Sequence, residues 1–185
     1  VSPCDSRLSV YPIDQHSAVK IKHTAYTVES LLRNKVLAER FEGGYLWLYR
    51  LCVDDYHRYI YIDDGEESRH IRIPGVLHTV NPVANDVYPI YKENTREYSL
   101  LRSRHFGTVL MMEVGALMVG KIENHSESSS VKRGQEKGNF AFGGSTIILM
   151  TQKDKVLPDQ DILENSRRGI ETRVHLGEKT GYCPQ

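Results

Sequence analysis

Residues 143–150 read Gly-Gly-Ser-Thr-Ile-Ile-Leu-Met, a glycine pair followed by six residues typical of a β-strand. The strand-like part shows no alternation of apolar and charged side chains, which is typical of a strand that is covered on both faces. A second run of this kind, Tyr45-Leu-Trp-Leu-Tyr-Arg-Leu-Cys52, lies earlier in the chain. The two runs predict two buried strands.

Shorter strand-like segments, separated by turn residues, occupy much of the remaining chain. They are residues 57–62, 69–73, 96–101 and 108–114. Helical periodicity is confined to two segments. One is Val28–Ala38, with Thr27 available as its N-cap, and the other is Asp159–Arg168, which ends before Gly169.

Residues 123–138 are polar, contain three consecutive serines and predict an exposed loop. No internal repeat is present. The pattern as a whole predicts a mainly β fold, a single compact β-sandwich or barrel-like domain over residues 1–185 with one or two short helices.

Composition excludes several classes of protein. The chain has 24 Lys plus Arg and 24 Asp plus Glu, so its formal net charge is zero, and we expect no nucleic acid partner. No run approaches the ~18 apolar residues of a membrane-spanning helix, and no signal peptide is recognisable. Cys4, Cys52 and Cys183 resemble neither a zinc site nor a disulfide framework, which favours a reducing cytoplasm.

The step Gly143-Gly144-Ser145-Thr146 permits one specific reaction. Two glycines let the backbone adopt strained angles and leave the Gly144 carbonyl open to attack. The Ser145 hydroxyl can attack that carbonyl if a base removes its proton and donors stabilise the developing oxyanion. The spacing alone does not demand this chemistry, because such a tetrapeptide is most often a simple turn.

Six sequence blocks, in one order along nearly the whole chain, resemble those of the phosphatidylserine decarboxylase family. The most specific block is residues 134–149, Gly-Gln-Glu-Lys-Gly-Asn-Phe-Ala-Phe-Gly-Gly-Ser-Thr-Ile-Ile-Leu, which is similar to the family's self-cleavage region. The other five are Val1-Ser-Pro-Cys-Asp5, Lys22 with Tyr26–Leu32, Asp55-Tyr-His-Arg58, Val80-Asn-Pro82 and Phe106–Ile122.

The resemblance implies a chain that cuts itself between Gly144 and Ser145. Residues 1–144 would then be the β chain and residues 145–185 the α chain, and the Ser145 remnant would become a covalent pyruvoyl group. This pyruvoyl group is the implied cofactor, and no metal is expected. The implied enzyme is a carboxy-lyase that converts phosphatidylserine to phosphatidylethanolamine.

The resemblance also assigns roles to two other residues. Asp5 matches the family's triad aspartate, which orients and charges a histidine base. His57 matches the first histidine of the family motif YHRxH, which is associated with proton donation during decarboxylation. Without the resemblance, Asp5 is better explained as a turn residue after a proline, and His57 as a structural histidine of a strand.

One position departs from the family pattern. The second histidine of YHRxH, the triad base for cleavage, is here Ile60, which cannot accept a proton. His78, in Leu-His-Thr-Val-Asn-Pro, is the candidate catalytic substitute, and a polar group near a strand end explains it equally well. Ser6 and Gly143 also differ from the family's residues, but neither difference forbids the chemistry.

Two alternatives stay open. The same chemistry on a small soluble amino acid would be favoured if no segment preceded Val1, since family members that act on lipid carry membrane-docking segments there, and no interfacial helix is recognisable in the chain itself. An uncleaved relative that acts as a binding protein is favoured by Ile60. For the main hypothesis we expect a cytoplasmic protein, peripheral to the inner face of the membrane through residues upstream of Val1, and a homodimer is compatible with the sequence.

Overall fold

The computed structural model describes residues 1–16, 18–21, 24–75, 90–115, 121–125, 129–141 and 145–184. Strands dominate this part of the chain, so the prediction of a mainly β fold is confirmed. Its strands, β1 to β16, are Ser6–Pro12, Ala18–Ile21, Thr24–Thr27, Tyr45–Leu51, Arg58–Ile60, Gly65–Glu67, Ile71–Ile73, Arg96–Ser103, Gly107–Val114, Lys121–Asn124, Ser130–Val131, Glu136–Ala141, Ser145–Thr151, Leu157–Pro158, Thr172–Val174 and Gly181–Tyr182. Its helices, α1 to α4, are Val28–Leu32, Lys35–Glu39, Ile90–Glu93 and Gln160–Arg167.

The main sheet joins nine of the described strands. Its hydrogen-bonded order is β11-β6-β8-β9-β13-β4-β1-β15, and β7 also pairs with β8. Strand β13 lies near the middle, antiparallel to β9 on one side and to β4 on the other. All seven residues of β13 are buried. The prediction of a buried strand at residues 145–150 is therefore confirmed, and the second predicted buried strand is β4.

Alternate residues of β13 enter two different cores. Ile148 and Met150 pack in a core that includes apolar side chains of α1, α2 and α3. Ile147 and Leu149 point to the other face, where they pack in a core with Tyr59 and Phe140 of a small three-stranded sheet, β10-β12-β5. We call the space between the main and small sheets the inter-sheet core. The sandwich part of the prediction is confirmed, while neither sheet closes into a barrel.

The helix predicted at Val28–Ala38 is two short helices. Thr27 caps α1 as predicted, because its hydroxyl accepts a hydrogen bond from the Ser30 N–H. The backbone of Arg33 then turns into the left-handed region at φ 51°, which ends α1. The side chain of Asn34 accepts the Leu37 N–H and begins α2.

The helix predicted at residues 159–168 is α4, and Gly169 follows it with φ 72°. Helix α3 was not predicted, because its four residues are too few for a periodic pattern. The described residues thus hold more helices than the predicted one or two, although all are short.

The exposed loop predicted at residues 123–138 is wrong in part. Strands β10, β11 and β12 cover much of this stretch, and Lys137 is fully buried. Polarity alone does not distinguish a solvent-facing side chain from one that pairs inside the protein, and several polar residues of this stretch pair there.

No helix in the described ranges is long and apolar enough to cross a membrane. All three cysteines are free, with Cys4 buried and Cys183 exposed.

Arg96 ties the helical layer to the main sheet. Its side chain is fully buried at the start of β8. The guanidinium donates to the carbonyls of Leu31 at 2.6 Å and Ser30 at 3.1 Å, which are the orphan carbonyls at the end of α1. It also donates to the carbonyls of Lys92 at 2.8 Å and Asn94 at 3.0 Å. Burial lowers the pKa of Arg96 to about 10, so the group stays charged at neutral pH.

We expect Arg96→Leu to lower the free energy of unfolding by about 3 kcal/mol, because it leaves several buried carbonyls without a donor. Guanidinium chloride unfolding followed by tryptophan fluorescence measures the change. Arg102→Leu, on the same strand but exposed, is the control and should change stability by less than about 0.5 kcal/mol. Equal effects of the two substitutions would contradict the role given to Arg96.

Candidate active site

Ser145 is the first residue of the central strand. It pairs with Leu51, the last residue of β4, and its side chain is fully buried. Because side chains alternate along a strand, Ser145 points to the same face as Ile147 and Leu149, into the inter-sheet core. Its Oγ has no hydrogen-bond partner among the described residues. A buried hydroxyl without a partner is uncommon, and such groups often mark reactive positions.

His57 lies at the start of the small sheet. Its backbone carbonyl accepts a hydrogen bond from the Phe140 N–H at 3.0 Å. Its Nδ1 is 2.7 Å from the Asp55 carbonyl oxygen, which can only accept, so Nδ1 carries the proton. In the neutral ring Nε2 is then the nitrogen without a proton, and it is buried without a partner in the described part of the chain. In that form of the ring, Nε2 can accept a proton.

The chain brings His57 and Ser145 to one end of the inter-sheet core. Strand β4 ends at Leu51, opposite Ser145, and the chain then continues to His57. The Phe140 N–H bonds to the His57 carbonyl, and Phe140 precedes Ser145 by five residues. His57 also stands two residues before Tyr59, which points into this core. These backbone contacts place His57 and Ser145 near the end of the inter-sheet core at which β4 ends.

Asp5 lies at the edge of this region. The segment before Asp5 contacts the small sheet, because the Ile60 N–H of β5 donates to the Pro3 carbonyl at 2.9 Å. The Asp5 carboxylate accepts the Leu176 N–H at 2.7 Å and stands 3.9 Å from Nδ1 of the exposed His175. The contacts seen for Asp5 are thus with the turn that follows β15. The other predicted site residues, His78 and Gly144, lie outside the described residues.

Sequence reasoning missed a buried cluster of charged and polar groups in the inter-sheet core. Lys137 of β12 is its centre: Nζ lies 2.9 Å from Glu113 Oε1 and 3.5 Å from Glu67 Oε1, and it donates to Asn124 Oδ1 at 3.0 Å. The side chains of Lys137, Glu113 and Glu67 are fully buried. We call the following set the polar cluster: Tyr59, Tyr61, Glu67, His70, Glu97, Ser99, Glu113, Asn124 and Lys137.

A second group of hydrogen bonds extends the polar cluster from Lys137 towards the surface. Glu67 accepts from the Tyr61 hydroxyl at 2.6 Å and from Ser99 at 2.7 Å. The His70 ring lies between two carboxylates, with Nε2 3.0 Å from Glu67 and Nδ1 3.2 Å from Glu97. Glu97 is 19% exposed, so the cluster reaches solvent on this side.

Gly138 makes room for the cluster. A Cβ at this position would lie 2.3 Å from the Glu123 carbonyl oxygen and 2.7 Å from the Tyr59 hydroxyl. With no side chain at residue 138, the Tyr59 hydroxyl comes close enough to donate to Asn124 at 3.1 Å.

Burial and pairing shift the pKa values of the cluster in opposite directions. Burial alone would raise the pKa of Glu67, but His70, Lys137 and the two hydroxyls outweigh it and hold this pKa at about 2. Burial likewise opposes protonation of His70, but its two carboxylate partners raise its pKa to about 9. The pKa of Glu113 is raised, because burial outweighs the nearby charge of Lys137.

A sequence signal for the cluster existed. Glu113 interrupts the apolar run of β9, and Lys137 lies within the block that resembles the self-cleavage region. A charged side chain inside a strand of this kind predicts a buried partner. Lys137 at the centre speaks against a metal site, and no group of metal-ligating side chains was found in the described ranges.

Comparison with known proteins shows the family of the chain. A family model described as phosphatidylserine decarboxylase matches residues 1–182. Phosphatidylserine decarboxylase proenzyme 2 of Clostridium acetobutylicum is 50% identical over 181 residues, which is 98% of this chain and 62% of that relative. Phosphatidylserine decarboxylase proenzymes of Clostridium novyi and Fusobacterium nucleatum are 45% and 41% identical, over 98% of this chain and 62% and 61% of their own lengths.

These relatives are named as proenzymes of a decarboxylase. The chain belongs to the phosphatidylserine decarboxylase family. It spans a little over three fifths of the length of the relatives that it matches.

His70 makes the stability of the protein depend on pH. The pKa of His70 in the folded protein is about 9, above its ordinary value of 6.5. The stabilisation from the protonated ring is therefore complete below pH 6.5 and is lost as the pH rises through about 9. We expect the free energy of unfolding to fall by up to about 3 kcal/mol from this group over that range. Guanidinium chloride unfolding at several pH values measures the fall.

His70→Gln should flatten this part of the pH profile, whereas His16→Gln, at an exposed position, should leave it as in the wild type. An unchanged profile in His70→Gln would show that His70 does not carry the extra proton.

Proposed function

We propose that this chain is the catalytic part of a pyruvoyl-dependent decarboxylase that converts phosphatidylserine to phosphatidylethanolamine after cutting itself between Gly144 and Ser145. Family membership and the printed names of the relatives support the substrate and the proenzyme state. A cytoplasmic location, peripheral contact with the membrane and a homodimer stay predictions.

The observation that carries the proposal is the Ser145 hydroxyl. It is buried at the first position of the central strand and has no partner in the described part of the chain. A hydroxyl that is not held by another acceptor is free to turn towards the preceding carbonyl. Burial also strengthens every charge interaction around the reacting atoms, because the local dielectric constant is low.

Self-cleavage follows from the chemistry of serine. Oγ loses its proton to a base and bonds to the Gly144 carbonyl carbon, the Gly144–Ser145 C–N bond breaks, and the proton goes to the departing amine, which leaves an ester. Removal of the Cα proton of Ser145 then expels the Gly144 carboxylate. The remaining double bond shifts to the nitrogen, and water releases ammonia to leave a ketone.

The residues around Ser145 fit a pyruvoyl group at this position. The group would form at the start of β13, at a buried position where the Ser145 hydroxyl has no partner among the described residues. Such a group supplies a carbonyl that accepts a substrate amine and withdraws electrons as carbon dioxide departs.

His57 supports the turnover step. Nδ1 is fixed by the Asp55 carbonyl, so Nε2 can take up a proton at the inner end of the site and return it to the carbon that loses carbon dioxide. The Asp55 carboxylate in turn accepts the Cys52 N–H at 2.7 Å, which holds the loop that presents the histidine.

One observation favours an alternative, an uncleaved relative that binds its ligand without chemistry. Ile60 takes the position of the family's second histidine, and its side chain is only 8% exposed, in the strand that bonds to Pro3. A buried isoleucine cannot act as a base. The alternative predicts a stable full-length chain.

Purified protein should cut itself at Gly144–Ser145. Intact-mass spectrometry over time should give a fragment that ends at Gly144 and a second fragment, residues 145–185, lighter than its serine form by the loss of ammonia. Ser145→Ala should stay full length, because it lacks the nucleophile. A homogeneous full-length mass of the wild type after prolonged incubation would support the uncleaved alternative.

The two fragments should stay together after the cut. Strand β13 keeps its pairing with both β4 and β9, and β15 keeps its pairing with β1, so the smaller fragment contributes the middle of the sheet. We expect one peak containing both fragments in native size-exclusion chromatography and separation only in denaturant. Dissociation in native buffer would contradict the topology.

His57→Ala should still cut itself but release carbon dioxide from phosphatidylserine about 10²–10⁴-fold more slowly, the typical contribution of a general acid or base. The assay compares carbon dioxide release by fully processed samples. His125→Ala, at an exposed position that follows β10, is the control and should retain the wild-type rate. A His57→Ala chain that stays full length would instead make His57 the base for cleavage.

A further inference from the structure

Glu113 lies diagonally across from Ser145 on the same face of the main sheet. Ile147 pairs with Glu113, and Thr146 pairs with Val114, so Ser145 is two residues from the partner of Glu113. Ile147 and Ser145 point into the same core, and a residue directly opposite Ile147 shares its face. Diagonal neighbours of this kind are about 7–8 Å apart, within reach of a long side chain.

No side chain separates the two groups on that strand. The residue after Val114 is Gly115, which carries none, and its backbone bonds towards β8, to the Thr95 carbonyl at 2.9 Å. Both Glu113 and Ser145 are fully buried. Lys137 Nζ stands 2.9 Å from Glu113 Oε1 as its ion-pair partner.

We propose that the Glu113 carboxylate is the base that takes the Ser145 hydroxyl proton in the self-cleavage reaction, in place of the histidine that this chain lacks at position 60. The inference rests on the proposed function. The proton passes from Ser145 Oγ to a Glu113 carboxylate oxygen as Oγ bonds to the Gly144 carbonyl carbon. It then passes to the Ser145 nitrogen as the C–N bond breaks, so Glu113 ends the step ionised as it began.

The surroundings of Glu113 suit this role. Lys137 and, at longer range, His70 favour the ionised form, and the Asn124 amide nitrogen lies 3.4 Å from Oε2. Burial acts in the opposite direction and makes the carboxylate more basic than an exposed one. The other ionisable groups that face it are Glu97, directly opposite on β8, with Glu67 and Tyr59 further along the cluster. A carboxylate whose basicity is raised by burial is an effective general base once it is ionised.

The test measures the fraction cleaved against time for the full chain and its variants. Glu113→Gln removes the nearest anion from the buried Lys137 and is expected to destabilise the fold. The decisive variant is therefore the double substitution Glu113→Gln with Lys137→Met, which removes both charges. Thermal unfolding and circular dichroism establish that it is folded. We expect it to cut itself at least ~100-fold more slowly than the wild type.

Two matched variants distinguish a role of Glu113 as a base from a structural role of the polar cluster. Glu97→Gln makes the same chemical change one strand further from Ser145 and should be cut at close to the wild-type rate. Glu113→Asp keeps a carboxylate and should be cut faster than the double variant. The cleavage rate of the wild type should rise with pH as the base ionises. The slow residual cleavage of the double variant should not show this rise.

Hydroxylamine identifies the step. It cleaves esters, so it would release fragments from a variant that had formed the Gly144–Oγ ester but could not go further. We expect none from the double variant, because Glu113 acts before the ester. The proposal would be overturned if the folded double variant were cut at the wild-type rate, or if hydroxylamine released fragments from it. It would also be overturned if His78→Ala abolished cleavage while the double variant was cut normally. Failure of the wild type to cut itself would instead refute the proposed function.

Discussion

The burial of β13 between β4 and β9 is the constraint on which the rest of the structure depends. Both faces of this strand are covered, one by the helical layer and one by the small sheet, so its first residue stands in a dry environment although it follows a glycine pair. A serine in such a place has few acceptors for its hydroxyl. The same packing that stabilises the sheet therefore presents Ser145 for reaction, and it also holds the strand in place if the backbone is cut before it.

The polar cluster shows how the inter-sheet core accommodates charge beside this strand. Three carboxylates, Glu67, Glu97 and Glu113, surround Lys137 and His70. Buried ions are unfavourable unless they are paired and hydrogen-bonded, and nearly every member of this set has several partners. Because the cluster links β6, β8 and β9 of the main sheet to β10 and β12 of the small sheet, it fixes the two sheets relative to each other next to Ser145.

The sequence was informative where a single segment carried the signal. The continuous apolar runs identified β4 and β13, since strands covered on both faces need no polar alternation. The division of the first helix was not predictable from periodicity, because it depends on the left-handed backbone of Arg33 and on the cap at Asn34. Strands β10 and β12 have the composition of an exposed loop, because the partners of their polar residues are far away in sequence and are met only in the folded chain.

The site was predictable to a similar degree. The family blocks indicated Ser145, His57 and Asp5; Ser145 and His57 lie beside the inter-sheet core, whereas the contacts of Asp5 are with the turn that follows β15. The blocks could not indicate that Nε2 of His57 is the free nitrogen, which follows from the position of the Asp55 carbonyl. Nor could they place Glu113 beside Ser145, because strand register is a property of the assembled sheet.

The central claim is that residue 145 becomes a reactive carbonyl at the start of the buried strand. Its most direct test is reductive trapping: the purified protein is incubated with phosphatidylserine and cyanoborohydride, and the mass of the fragment 145–185 is measured. The account predicts a fragment that carries one phospholipid-derived amine, and no such adduct in Ser145→Ala. A fragment without an adduct, or an adduct of equal yield in Ser145→Ala, would contradict it.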